Sequence, residues 1–365
     1  MYYKQYGDTD MRVSAVGMGC MRYDEEDIKA GRLDSCADVA LYALEKGINY
    51  FDTAPFYCND KSETITGMAL SQVKREQFYV SSKANLGTTG KIVNADTFRS
   101  RLETTLNRLK VDYLDFYHLW CLLSLESYKQ QSEALYDFFV QARKDGLIRN
   151  IVFSAHMQGD ELEKVIATDN YKGMLIGYNA LNYRFRQSGI TAAAEKGMGV
   201  VVMNPLGGGL IPEKPEKFAY LTKGTDLNVA QAALRFAASH QEITIALAGI
   251  TKKEHVDDAV RSVENLVEKP AAEIVAEYAG KGMGIDDLCT GCGYCRGCPV
   301  DIDIPKYMDA YNEKLLGNSI SGRLKYHWGI PGEKAGDCTA CGLRESKCTQ
   351  HLPIIERLAE IARLS

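Results

Sequence analysis

The sequence predicts an α/β protein: a (β/α)₈ barrel followed by a small, α-helical, cysteine-rich domain. Three observations carry that reading. Eight short apolar runs, rich in β-branched and aromatic residues, recur between about residues 13 and 250. Amphipathic helical patterns separate them. Beyond about residue 280 the strand signals stop, Gly, Cys and Pro take over, and seven of the eleven cysteines crowd into the last 80 residues.

In chain order, the strand candidates are 13–19, 48–52, 78–83, 113–120, 148–154, 174–179, 199–204 and 243–249. Helix candidates between them include SCADVALYALEKG, DTFRSRLETTLNRLK, SEALYDFFVQARKDG and NVAQAALRFAASH. Several stop at a Gly that follows Lys or Asp, the usual C-terminal punctuation. Strands this apolar are buried on both faces, which implies a parallel sheet covered by helices. Eight such units in about 240 residues match a closed barrel. An open doubly wound sheet is disfavoured because no GxGxxG follows the first strand. Residues 252–281 read as two helices joined near Lys269-Pro270. The expected division is a barrel over 1–280 and a cysteine domain over 281–365, whose last segment, LPIIERLAEIARLS, is an amphipathic helix.

Composition narrows the function classes. The chain of 365 residues is 45% hydrophobic and 25% charged, with a net charge of −5. Lys and Arg are scattered, so no basic footprint for nucleic acid is present. The N-terminus is polar rather than a secretory segment. The longest apolar runs are too short to span a bilayer. A reducing, cytoplasmic setting follows, with no membrane or nucleic-acid partner. In that setting clustered CxxC spacing favours metal over disulfides.

The chemistry begins at FDTAPFYCNDKSE, residues 51–63. Asp52 ends the second barrel strand, Tyr57 follows in its loop, and Lys83 ends the third strand. Strand ends on the C-terminal face are where barrel enzymes gather reactive side chains. A Lys ammonium beside a Tyr favours the phenolate and lowers the phenol pKa, and Asp52 would orient that Lys.

This stretch, with SSK, RLETTLNRLK-VDYLDFY, GLIRNIVFS and NPLGGG, resembles the aldo-keto reductase family, and the resemblance covers nearly all of residues 1–265. It implies NADP(H)-linked reduction of a small carbonyl substrate, with Tyr57 as general acid, Lys83 as its partner and Asp52 as orienter. The family's usual His aligns with Trp120, two residues after His118. Either His118 reaches the same interior and acts, or it is a core imidazole beneath a Trp lid. Trp120 and Cys58 are expected at the substrate pocket, Cys58 as a thiol at the mouth or as a passive replacement for Gly. The expected cofactor contacts are Ser154, Asn179, Gly207, Gly208, Thr251, Lys252 and His255. The family's usual Gln, Lys and Asn read here as Leu175, Gly249 and Ala259, and its ring-stacking position reads as Met203, so the cofactor contacts are thin. The Gly run at 207–209 suits close approach of a pyrophosphate, or is simply a flexible loop.

The cysteine region carries Cys289, Cys292, Cys295 and Cys298-Pro299, then Cys338, Cys341, Arg344 and Cys348. It resembles the two-cluster ferredoxin-like tail of one branch of the same family. Ferredoxins lend the last Cys of each motif to the other cluster. That swap gives one full 4Fe–4S set, Cys289, Cys292, Cys295 and Cys348. The other set, Cys298, Cys338 and Cys341, has Arg344 in the fourth place, and an Arg cannot ligate iron. Three answers remain open for it: a three-iron cluster, a 4Fe–4S cluster with one iron open to His351, Cys121 or substrate, or a lost cluster. Zinc is the competing occupant of the first motif. The expected function is an oxidoreductase with an iron–sulfur tail that is structural or receives single electrons from a donor protein. The alternative is an electron-transfer protein whose barrel is only a docking scaffold.

Overall fold

A computed structural model describes residues 1–89, 94–157, 159–183, 186–278 and 287–364. Strands β1 (Tyr3–Gln5) and β2 (Arg12–Ser14) form an antiparallel hairpin. Strands β3 (Val16–Gly19), β4 (Tyr50–Asp52), β5 (Tyr79–Ala84), β6 (Leu114–Leu122), β7 (Ile148–Ala155), β8 (Gly173–Gly177), β9 (Gly199–Met203) and β10 (Ile245–Gly249) close a parallel barrel in chain order. The expected strand 13–19 is therefore two strands. Its first residues pair with β1, and only Val16 onward joins the barrel. Three-residue strands are too short to print an alternation pattern, so the hairpin was not legible.

The period of two along β6 sorts side chains into two layers. Phe116 faces inward with Tyr50, Val152, Leu175, Val201 and Ile245. Its neighbour Tyr117 faces outward and packs on Phe139 of the helix Leu125–Lys144, with ring centroids 4.9 Å apart. The hairpin closes the bottom of the barrel. Tyr6 lies 4.3 Å from Phe116 between ring centroids and is fully buried. A Cβ on Gly199 would stand 2.2 Å from the Tyr6 ring, so the plug requires a glycine there.

Beyond the barrel, the helix pair Lys253–Ser262 and Ala271–Tyr278 matches expectation. The expected boundary at 280 lies outside the described residues. Residues 287–364 hold no strand among those described. The helices Ile304–Leu315 and Ile354–Leu364 share a small core of their own with Ile302, Leu324 and Leu352. This cysteine tail sits on the C-terminal face of the barrel. Arg22, after β3, donates to Gly291 O at 3.0 Å, and Asn182, after β8, reaches Gln350 at 3.3 Å. Ion pairs Lys214–Glu313 (2.8 Å) and Arg323–Glu213 (2.7 Å) flank the apolar contact of Leu210 with Leu288 and Leu316. No helix among the described residues is long and apolar enough to cross a membrane.

The Tyr6 plug is testable. Its hydroxyl is buried without a partner, so Tyr6→Phe is expected to leave stability unchanged or raised, because nothing is lost but an unsatisfied group. Tyr6→Ala empties the barrel floor and is expected to cost roughly 3–5 kcal/mol. Urea denaturation of the two variants checks both signs.

Candidate active site

The inward positions of β6 rise through three layers: Phe116 on the floor, His118 in the middle and Trp120 at the mouth. His118 lies level with Lys83 of β5 in the parallel register. Lys83 and Asp52 form a buried pair, with Nζ to Oδ1 at 2.5 Å and side chains only 1% and 4% exposed. Removing two charges from water is costly unless every remaining group is satisfied. Here Ser81 donates to the second Asp52 oxygen at 2.5 Å, and Lys83 also donates to Thr53 O at 2.7 Å.

Tyr57 stands above this pair, the Lys83 ammonium 5.1 Å from its ring centroid. Its loop is strained. Phe56, Cys58, Asn59 and Asp60 all take positive φ, between 53° and 69°, a conformation that costs a non-glycine residue about 1–2 kcal/mol each. The loop is anchored by Arg108, which donates to both Asp60 oxygens at 2.7 and 2.8 Å, and by Ser62, which donates to Cys20 O at 2.6 Å. The expected fall in the Tyr57 pKa is reversed. Burial raises it well above the ordinary phenol value, and the neighbouring Tyr294 phenol and the Asp52 charge add to the rise. Burial is the larger effect, and the Lys83 charge is balanced by the Asp52 carboxylate with which it pairs.

A cavity of about 430 Å³ opens above, with Asp52 and Tyr57 in its wall. Barrel residues Leu175, Met203, Asn204, Gly208, Thr251 and His255 line it, and so do Thr290, Cys292, Tyr294, Thr349 and Gln350 of the tail. The site is thus a chamber between barrel and tail, which sequence reasoning did not foresee. Sequence reasoning also missed His156, which follows β7 and lines the chamber; its only signal was a His just past a barrel strand. Its ring meets Tyr294 edge-on at 5.6 Å. Arg186, 2% exposed, joins the halves: it donates to Gly177 O at 2.9 Å, to Met157 O and His156 O at 3.3 Å each, and to Thr349 O at 2.9 Å.

Several expected contacts lie elsewhere. His118 is fully buried and does not line the chamber; Asp52 Oδ2 is 3.7 Å away. Trp120 takes the upper layer but packs edge-on behind Tyr57 at 5.8 Å, outside the chamber lining. Cys58 turns under the β3 loop, its thiol toward Met21 O at 3.2 Å, and burial raises its pKa. Ser154 and Asn179 are buried off the chamber. Asn179 spends its amide on neighbouring backbone, donating to Asn204 O after β9 (2.9 Å) and accepting from Leu181 N in its own loop (2.8 Å). Gly207 and Lys252 are also off the lining. Gly208 does permit a close backbone approach, but part of what approaches is the tail: a Cβ there would stand 1.9 Å from Thr290 O.

Cys289, Cys292, Cys295 and Cys348 lie near enough that a charge on one burdens the others. Gly291 and Gly293 take φ of +64° and +79° to turn the motif, Gly291 N and Leu352 N point at the Cys289 and Cys348 sulfurs at 3.5 and 3.4 Å, and Thr349 Oγ1 is 3.2 Å from Cys292 Sγ. Among the described residues, no three His, Cys, Asp or Glu side chains converge as a single-ion site. In the second set, the Arg344 guanidinium lies against Gly297, beside Cys298, with Nε unpartnered. Neither suggested outside ligand reaches this set: His351 is tied to His156 O at 3.2 Å, and Cys121 lies beside Tyr294 and Cys292.

Against known proteins, the Aldo/keto reductase family model matches residues 15–278. An "uncharacterized oxidoreductase" of Bacillus subtilis, YqkF, is 23% identical over 288 residues, covering 71% of this chain and 90% of the relative. L-galactose dehydrogenase of Arabidopsis thaliana is 26% identical over 283 residues, covering 71% and 87%. An NADH-specific methylglyoxal reductase of Escherichia coli is 26% identical over 223 residues, covering 56% and 67%. Among solved structures, an aldo-keto reductase of Bacillus halodurans in its holo form has a TM-score of 0.64 at 23% identity, covering 78% of this chain and 97% of that one; that likeness shows the fold.

The buried imidazoles make stability depend on acid. Burial lowers the pKa of His118 to about 4 and that of His156 to about 3. The unfolded chain, near 6.5, takes up these protons first as pH falls. Their contribution is therefore full above pH 6.5 and is lost as pH falls toward the folded values, by about 1–2 kcal/mol per imidazole at pH 5. The urea midpoint is expected to drop between pH 7 and pH 5, and to drop less in His118→Leu. An equal drop in that variant would show that His118 is not the acid-sensitive group.

Proposed function

The chain belongs to the aldo/keto reductase family and is an oxidoreductase, and from that premise we propose that it reduces a small carbonyl compound in the chamber between barrel and tail. The observation that carries the reading is the placement of Asp52 and Tyr57 in the chamber wall with Lys83 directly behind them. A docking scaffold without chemistry has no use for such a set.

Tyr57 donates the proton to the carbonyl oxygen. Burial keeps it protonated at neutral pH, so the donor is loaded before substrate arrives. As the proton leaves, the Lys83 ammonium stabilises the developing phenolate, and Asp52 holds Lys83 in place.

A reduced nicotinamide dinucleotide fits the chamber in outline and supplies two electrons as hydride when bound. Leu175 and Met203 offer an apolar wall for a flat ring, Asn204, Gly208 and Gly209 a backbone approach for phosphates, and Thr251 and His255 a polar far end. Thr251 and His255 are already oriented by their mutual contact, Nδ1 lying 3.3 Å from Oγ1. NADP(H) is the form the family implies. Asp258, also in the lining, suits a ribose hydroxyl better than a 2′-phosphate, so NADH is a credible substitute.

The set Cys289, Cys292, Cys295 and Cys348 fits a 4Fe–4S cluster, which when bound passes one electron at a time. The backbone donors at two sulfurs and the glycine turns support that reading. Cys292 is itself part of the chamber wall. A one-electron donor protein is the partner this implies. Cys298, Cys338 and Cys341 supply three thiols, and the Arg344 cation beside Cys298 would offset the charge of any cluster held there.

The test is anaerobic. Iron and acid-labile sulfide are counted, and the visible spectrum is taken before and after NADPH or NADH. Turnover of methylglyoxal and 4-nitrobenzaldehyde is then followed. Tyr57→Phe is expected to lose about a thousandfold in kcat with its spectrum intact. Cys348→Ser is expected to lose the absorbance that Cys341→Ser retains in part. An active Tyr57→Phe variant would remove the proton-donor assignment, and iron-free protein would remove the cluster.

A further inference from the structure

The chamber has one loaded proton donor, Tyr57, and its neighbours on the barrel leave a gap. The inward position above His118 is filled by Trp120, which packs behind Tyr57 and does not reach the lining. His118 is sealed one layer below. No side chain of β6 therefore offers the substrate oxygen a second hydrogen bond. The tail fills that gap from outside. Tyr294, in the turn between Cys292 and Cys295, enters the barrel mouth and lines the chamber with Tyr57 and His156.

Its position is fixed from three sides. The His156 ring meets it edge-on at 5.6 Å. Its hydroxyl interacts with the Trp120 indole and the Cys121 thiol. The Tyr57 hydroxyl lies next to it. Cys121 is where β6 breaks register, with φ of +63° and the ladder shifting between Leu119 and Leu122. Such bulges re-aim side chains at strand ends, and this one turns the strand end toward the tail. The turn that carries Tyr294 is pinned in turn by Arg22 on Gly291 O and by Thr349 on Cys292 Sγ.

We propose that Tyr294 is a catalytic residue contributed by the cysteine tail, whose hydroxyl hydrogen-bonds the substrate carbonyl oxygen beside Tyr57 and so supplies the second donor that Trp120 and His118 cannot. The inference rests on the carbonyl-reductase reading above. It makes the barrel site incomplete until the tail is folded over it. The ligand class is a small carbonyl compound whose oxygen is reached by two phenols, Tyr57 and Tyr294, in the chamber wall.

The experiment uses the full chain with its tail loaded, and 4-nitrobenzaldehyde as the probe. Tyr294→Phe keeps the ring contact with His156 and removes only the hydroxyl. It is expected to lower kcat/KM about a hundredfold, and to weaken aldehyde binding measured by calorimetry, with visible spectrum and melting temperature unchanged. Tyr57→Phe is run beside it. If Tyr57→Phe is inactive and Tyr294→Phe binds and turns over within twofold of the parent, the Tyr294 assignment is overturned and the reading of the site stands. If Tyr57→Phe stays active, the reading itself falls and takes this inference with it. A merely structural Tyr294 would instead shift the melting temperature or the spectrum along with the rate, and that result also counts against the proposal.

Discussion

The Asp52–Lys83 pair is the constraint around which the upper barrel is arranged. Two opposite charges enclosed by strands demand that every spare hydrogen-bonding atom be met. Ser81 and the Thr53 carbonyl meet them. The pair in turn fixes its surroundings. His118, level with Lys83 and near Asp52, is held neutral by burial. Tyr57 is held above the Lys83 ammonium, close enough to feel it but not to share its proton partner. The loop that carries Tyr57 bears four strained residues in five, and strain of that kind persists only where the surroundings over-determine it.

A second buried charge organises the junction with the tail. Arg186 is enclosed and donates only to carbonyls, three on the barrel and one at Thr349. Burial lowers its pKa to about 10, so it remains a cation at neutral pH. A cation in this place draws together the ends of β7 and β8 and the residue that follows Cys348. The same residue, Thr349, touches Cys292. Chamber and thiol set are thus linked by a few short steps of covalent and hydrogen-bonded structure. Tyr6 fills the barrel floor, and residues of the tail line the chamber at the mouth.

The inward stack on β6 shows how far sequence can be read. The spacing of Phe116, His118 and Trp120 placed all three on one face of a strand, and the period of two made that certain once the strand was identified. It left open which of the two upper residues meets substrate. The structure answers neither: His118 is too deep, and Trp120 is turned behind Tyr57. His118 sits in the regular ladder one layer down, while Trp120 lies inside the break of register between Leu119 and Leu122, a local change that no side-chain pattern announces. Likewise the direction of the Tyr57 shift depended on how deeply the tertiary structure buries the phenol beside Tyr294 and Asp52.

By itself the sequence determined what depends on periodicity and spacing: eight buried strands, the helices between them, and Asp52, Tyr57 and Lys83 on adjoining strand ends. These are local or nearly local properties, fixed by the two-residue and 3.6-residue repeats and by short motifs. Only the tertiary structure decided that the tail folds over the barrel mouth, that His156 and Tyr294 share a chamber with Tyr57, and that Asn179, Cys58 and His118 lie outside it. Those outcomes depend on docking two hydrophobic cores through a handful of carbonyl, ring and ion-pair contacts. Contacts between residues more than a hundred positions apart leave no periodic trace in the chain.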